Sequence, residues 1–151
     1  GGTGCYCPEG ALLQALLAHL LLQRNEVVIL DMEAGIEHLT RGTAKTIDKL
    51  IVVVEPGHRS IETAERIRQL ANDLNLKNIA IVGNKIHNQT QKDFLIKSLP
   101  NTEFLGFIPY DDAIINADMA NRSVLNSSQP AITEVKKIYQ SLVSSNKTKT
   151  E

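Results

Sequence analysis

Tryptophan is absent, and tyrosine and phenylalanine contribute three residues each, so the chain offers little surface on which nucleobases could stack in series. Charge of one sign is missing too. Sixteen basic side chains, scattered rather than clustered, stand against 17 acidic ones, and a formal net charge of -1 attracts no polyanion. A nucleic-acid partner is not expected. The only cysteines are Cys5 and Cys7, too close together for a disulfide framework, which points to a reducing, cytoplasmic setting. The longest apolar stretch, residues 11–22, is broken by Gln14 and His19 and is too short to cross a bilayer. No basic segment leads into a cleavable apolar run, so neither a membrane nor a secretory address is expected.

What is present suits one domain: with 42% hydrophobic residues, 151 residues can bury a sizeable core. The chain opens Gly1-Gly2-Thr3-Gly4 with no initiator methionine and runs straight into patterned sequence. We read it as cut from something longer.

Residues 9–23 predict a helix with Pro8 at its first turn and leucine or alanine on most faces, covered on several sides as a core helix or at a subunit interface. Four short apolar runs follow, each suited to a strand buried on both faces: Val27 to Leu30, Leu50 to Val54, Ile79 to Val82 and Phe104 to Ile108. Helical periodicity fills the gaps. Ser60 to Leu74 has Ser60 as N-cap and Ile61, Ala64, Ile67, Leu70, Ala71 and Leu74 on one face. Thr90 to Leu99 turns Phe94, Leu95 and Leu99 inward, and Ala131 to Val143 does so with Ile132, Val135, Ile138, Tyr139 and Leu142. Strands alternating with helices predict an α/β fold, a parallel sheet of about four strands with flanking helices. Residues 144–151 are polar and without periodicity, and are expected to form a disordered tail.

In open parallel sheets ligands bind beyond the carboxyl ends of the strands, so those ends are read for chemistry. After Val27-Val28-Ile29-Leu30 comes Asp31, and four residues later Gly35. A carboxylate there can hold a Mg²⁺-bound water, and a glycine lets a backbone N–H approach a terminal phosphate. The same spacing suits an aspartate capping the next segment with a turn glycine. In Val82-Gly83-Asn84-Lys85 the Asn84 amide can pair donor and acceptor with a base edge, or the dipeptide can be an ordinary Gly-Asn turn. Pro109 fixes the backbone after the last strand, and Asp111 or Asp112 can cap the next short helix. Cys5 and Cys7 supply two thiolates for one soft metal ion. A two-fold axis would supply the other two, or the pair are simply free thiols.

Taken in order, Cys5-Tyr6-Cys7-Pro8-Glu9, Asp31-Met32-Glu33-Ala34-Gly35-Ile36-Glu37-His38-Leu39, Val54-Glu55-Pro56-Gly57-His58-Arg59-Ser60, Val82-Gly83-Asn84-Lys85 and Ile108-Pro109-Tyr110-Asp111-Asp112 resemble the CooC-type nickel-insertion ATPases. That family serves carbon monoxide dehydrogenase and belongs with the MinD, Mrp and nitrogenase-iron-protein group of P-loop NTPases, the deviant Walker A class. The resemblance implies an ATP-dependent homodimer that helps deliver nickel, with carbon monoxide dehydrogenase as its client. By position, Cys5 and Cys7 would bind Ni²⁺ or Zn²⁺ at the dimer interface. Asp31 would act catalytically at the Mg²⁺ and the attacking water, with Gly35 near the γ-phosphate of ATP. Asn84 and Lys85 would lie at the adenine, and Pro109 and Asp111 would flank it. Glu33 falls in the same switch stretch and receives no role. Residues 1–143 would then be a partial P-loop ATPase domain, for no Gly-x-x-x-x-Gly-Lys-[Ser/Thr] occurs in the chain. Lacking that cradle for the β- and γ-phosphates, the chain alone is not expected to catalyse hydrolysis. Two alternatives fit the same residues: a stand-alone metal-binding dimerisation module, or a MinD/ParA-like ATPase fragment with another partner.

Overall fold

The structure, a computed structural model, describes residues 27–32 and 47–147. The predicted helix at residues 9–23, both cysteines, Glu33 and Gly35 lie outside the described residues. The described residues fall into two compact units, one comprising 27–32, 47–50 and 66–78, the other 51–65 and 79–147.

Three strands alternate with helices: β1 (Leu50–Val54), α1 (His58–Asp73), β2 (Ile79–Ile86), α2 (Gln89–Ser98), β3 (Glu103–Pro109), α3 (Asp112–Met119) and α4 (Gln129–Lys147). The sheet has the order β1-β2-β3, and β2 runs parallel to β3 with Ala80 opposite Glu103 and Gly83 opposite Phe107. Helices cover both faces. Along β2 side chains alternate, so Ala80 and Val82 share one face, where they pack with Leu105 and with Ile138 of α4. Gly83 turns to the other, where a Cβ would meet Phe107 Cδ1 at 2.6 Å and Leu95 Cδ1 of α2 at 3.2 Å. Gly106 does the same toward α4, with Ile138 Cγ1 at 2.7 Å from a notional Cβ. Each glycine thus admits a large side chain against the backbone. Ile81, Leu95, Leu99 and Val54 are fully buried, each burial favouring the fold by roughly 1.5–3 kcal/mol.

Local chemistry ends the helices. Asn75 and Asn121 take left-handed backbone (φ 64 and 51) just past α1 and α3. Leu76 N donates to Ala71 O at 2.8 Å, and Arg122 N to Ala117 O at 2.8 Å, so two orphan carbonyls are satisfied by the same motif. Asn88 caps α2 by accepting from Gln91 N at 3.0 Å.

Four expectations change. Val27 to Leu30 carries no strand pairing; its residues have no regular structure and are 36% to 81% exposed. An apolar run records a demand for burial, whereas a strand also needs an edge to pair with, which pattern alone does not supply. The sheet therefore has three strands among the described residues. Ser60 is the third residue of α1, not its cap, and its hydroxyl accepts from Glu55 N at 2.9 Å. On α4, Val135 and Tyr139 are 49% and 51% exposed, because the helix rests on the sheet along Ala131 and Ile138. Finally α4 continues to Lys147, where Ser144 bonds the Gln140 carbonyl within the helix; residues 148–151 lie outside the described residues.

Candidate functional site

β1, β2 and β3 deliver their carboxyl ends to one edge of the second unit, as Glu55, Asn84 to His87, and Pro109 to Asp112. Asn84 and Lys85 are not a turn: β2 continues through them to Ile86. Between the pairs Gly83–Phe107 and Ile86–Pro109, β2 advances three residues while β3 advances two. The extra residue makes a β-bulge, and Lys85 sits in it with φ 54. Left-handed backbone is uncommon for lysine, whose Cβ crowds the following carbonyl. Lys85 Nζ reaches Glu55 Oε1 at 2.8 Å, closing the end of β1 onto that of β2. That hydrogen bond, then the charge of Glu55, holds the Lys85 ammonium above its ordinary value. The contribution is therefore present at neutral pH and is lost as pH rises through that raised value.

The Asn84 carboxamide is half-buried and has no hydrogen-bond partner among the described residues. A side chain with two donors and an acceptor left unpaired at a strand end is available to a ligand. Three residues further along, the His87 imidazole stacks on the Tyr110 ring with centroids 4.2 Å apart and planes 22° from parallel. Tyr110 N donates to Ile86 O at 3.0 Å, which extends the β2–β3 ladder and sets the two rings level. The Tyr110 hydroxyl donates to Asp112 Oδ1 at 2.9 Å, and that bond, then burial, pushes the phenol up and keeps it protonated.

Asp111 is occupied structurally. As the cap of α3 it accepts from Ala113 N at 2.9 Å. A hydrogen bond from Ser128, then the one from Ala113 N, lowers its carboxyl below the ordinary value. Ser128 is buried, and its hydroxyl also accepts from Ala131 N at 3.2 Å in the first turn of α4. Asp111 thus ties the starts of two helices together. With the folded value lowered, its stabilisation is present above the unfolded carboxylate range and is lost as pH falls through the folded value. We expect Asp111→Asn to melt below the unsubstituted protein at neutral pH. The two melting curves should converge in acid, as thermal unfolding by circular dichroism at several pH values would register.

Of the residues singled out from sequence, Asn84, Lys85, Pro109 and Asp111 gather at this one edge. Asp31 belongs to the first unit, where it is exposed and outside regular structure. Glu55, His87 and Tyr110 carry contacts at the edge that sequence reading assigned to none of them. The available signal was position, since all three lie within one residue of a strand's carboxyl end. Among the described residues no group of three or more metal-binding side chains occurs, and no helix is long and apolar enough to cross a membrane.

Two curated relatives match most of the chain. It is 44% identical over 146 residues to an uncharacterized ATP-binding protein of Methanocaldococcus jannaschii, covering 95% of this chain and 56% of that one. It is 46% identical over 127 residues to the carbon monoxide dehydrogenase accessory protein CooC of Rhodospirillum rubrum, covering 84% and 48%. The chain spans about half the length of these relatives. Among solved structures, the cell division protein MinD of Aquifex aeolicus superposes with a TM-score of 0.58 at 20% identity, over 69% of this chain and 47% of that one, a likeness of fold. No family model matches the chain. A parallel α/β sheet with the MinD fold, an Asn-Lys strand end, and extended identity to CooC and its ATP-binding relative agree: the chain belongs to the CooC-type, MinD-like family of P-loop ATPases.

Proposed function

We propose that the full-length protein is a cytoplasmic, ATP-dependent accessory protein that delivers nickel during maturation of carbon monoxide dehydrogenase. The 46% identity to CooC of Rhodospirillum rubrum supports this client. The observation that carries the nucleotide part is the Asn84 carboxamide, unpartnered among the described residues, at the strand edge that also carries the His87–Tyr110 stack. That edge suits a purine: an amide for its hydrogen-bonding edge, and a flat aromatic surface at the same strand ends.

Roles follow from chemistry. Asn84 binds the base, with Lys85 holding the backbone beside it and Pro109 walling the edge. Asp111 acts through the fold, setting where the Pro109–Tyr110 segment ends and α3 begins. Asp31, an exposed carboxylate, would hold the Mg²⁺-bound water, with Gly35 near the γ-phosphate; Mg²⁺ when bound neutralises phosphate charge. The chain has no phosphate-loop motif to cradle the β- and γ-phosphates, so hydrolysis is a property proposed for the full-length protein.

Nickel enters as cargo. Cys5 and Cys7 from each of two chains would complete a four-thiolate site across a homodimer, which Zn²⁺ also suits. Titrating the full-length protein with Ni²⁺, then sizing it by multi-angle light scattering, tests the proposal. We expect one ion per two chains, a metal-dependent dimer, and loss of both in Cys5→Ser. A protein that stays monomeric at every metal concentration would argue against it.

A further inference from the structure

Lys85 is the conformational exception of the strand ends. Five non-glycine residues among those described have positive φ, and the other four are asparagines, which tolerate that region through local hydrogen bonding. A lysine held there is under strain that its surroundings must hold in place. What holds it is visible. Its ammonium is bound to Glu55 at 2.8 Å, while the Glu55 backbone N–H is bound to the Ser60 hydroxyl of α1 at 2.9 Å. The anchor runs from a helix, through the end of β1, to the bulge of β2.

The bulge has a consequence for the residue before Lys85. Asn84 and Lys85 together stand against the single residue Ile108 of β3, so Asn84 belongs to the bulge and its direction departs from the strand's simple alternation. The extra residue between Gly83 and Ile86 therefore decides where the chain after Asn84 is directed, and how β2 meets Tyr110 through the Ile86 carbonyl. We infer that Glu55 is a positioning residue for base recognition: it clamps the left-handed bulge at Lys85, and the bulge aims the Asn84 carboxamide at the ligand. This rests on the proposed base site at Asn84. The pair is half exposed, 55% and 50%, so its effect is bounded by what such pairs contribute.

The test is calorimetric binding of ATP and of inorganic triphosphate to the full-length protein. For Glu55→Gln we expect ATP affinity to fall about threefold to fivefold, the range a partly exposed ion pair supports, with triphosphate affinity unchanged. Glu55→Asp, which keeps the charge, should recover part of the loss. In an Asn84→Ala background Glu55→Gln should have no further effect, because the residue acts through Asn84. Additive losses, equal losses for ATP and triphosphate, or an unaltered ATP affinity in a protein that Asn84→Ala does weaken would each overturn the inference alone. Indifference of ATP binding to Asn84→Ala would instead overturn the base site, and the positioning role with it.

Discussion

Asn84→Ala in the full-length protein is expected to weaken ATP binding about fivefold to a hundredfold, the range for a lost bidentate amide-to-adenine contact. Affinity for inorganic triphosphate should be untouched. Three features make this the largest functional effect. The carboxamide is half-buried at the end of β2, has no partner to retain among the described residues, and is held by a strand paired on both sides. A substitution there removes the contact without disturbing the core, since Ile81 and Val82 lie deeper in the same strand. Asn84→Asp is the sharper variant. It keeps the shape and an acceptor but loses the donors, so discrimination between bases should change along with affinity. Equal losses for ATP and triphosphate would mean that Asn84 serves the fold rather than the base.

Leu95→Ala is expected to cost about 2–5 kcal/mol of stability, the range for a fully buried leucine emptied to alanine. Leu95 lies on α2 under the exit of β2, and its Cδ1 comes within 3.2 Å of where a side chain on Gly83 would begin. Gly83→Ala attacks the same spot from the other side. Its methyl would stand 2.6 Å from Phe107 Cδ1, and that ring is held between Phe104 at 5.2 Å and the Lys92 ammonium at 4.7 Å. It cannot swing away freely, so a cost of about 1–3 kcal/mol is expected from overpacking. The double variant should cost less than the two together, because space opened by Leu95→Ala takes part of the new methyl while Phe107 still resists it. Urea unfolding of all three variants gives the comparison; strict additivity would mean that the two sites do not share this contact.

These effects also show which features the sequence made legible. Strands β1, β2 and β3 announced themselves through short apolar runs, and α1 and α2 through inward stripes at Ile61, Ala64 and Ala71 and at Leu95 and Leu99, all buried as expected. Such patterns are local and repeat with the element's own period. Val27 to Leu30 has the same composition as those strands, yet it does not pair, because pairing depends on a neighbouring edge rather than on the run itself. Val135 and Tyr139 misled for a related reason: apolar residues on α4 outnumber the positions its seat on the sheet can cover.

At the edge of the sheet the same division holds. Asn84 and Asp111 could be named from their types and their places after apolar runs. The bulge could not be, since an extra residue in β2 is defined only against the count in β3. The Glu55–Lys85 pair and the His87–Tyr110 stack join residues 30 and 23 positions apart, at the ends of separate strands, and no local spacing rule reaches across that distance. The cap role of Asp111 was legible, and the structure has it at the start of α3, but its bond from Ser128 was not, since that residue enters from the start of another helix.

The decisive measurement is a crystal structure of the full-length protein with ADP bound. We expect the adenine edge within hydrogen-bond distance of the Asn84 carboxamide, against the strand end that carries Tyr110, with Lys85 still joined to Glu55. Adenine bound away from the carboxyl ends of β2 and β3, with Asn84 facing solvent, would contradict the assignment of this edge as the nucleotide-base site.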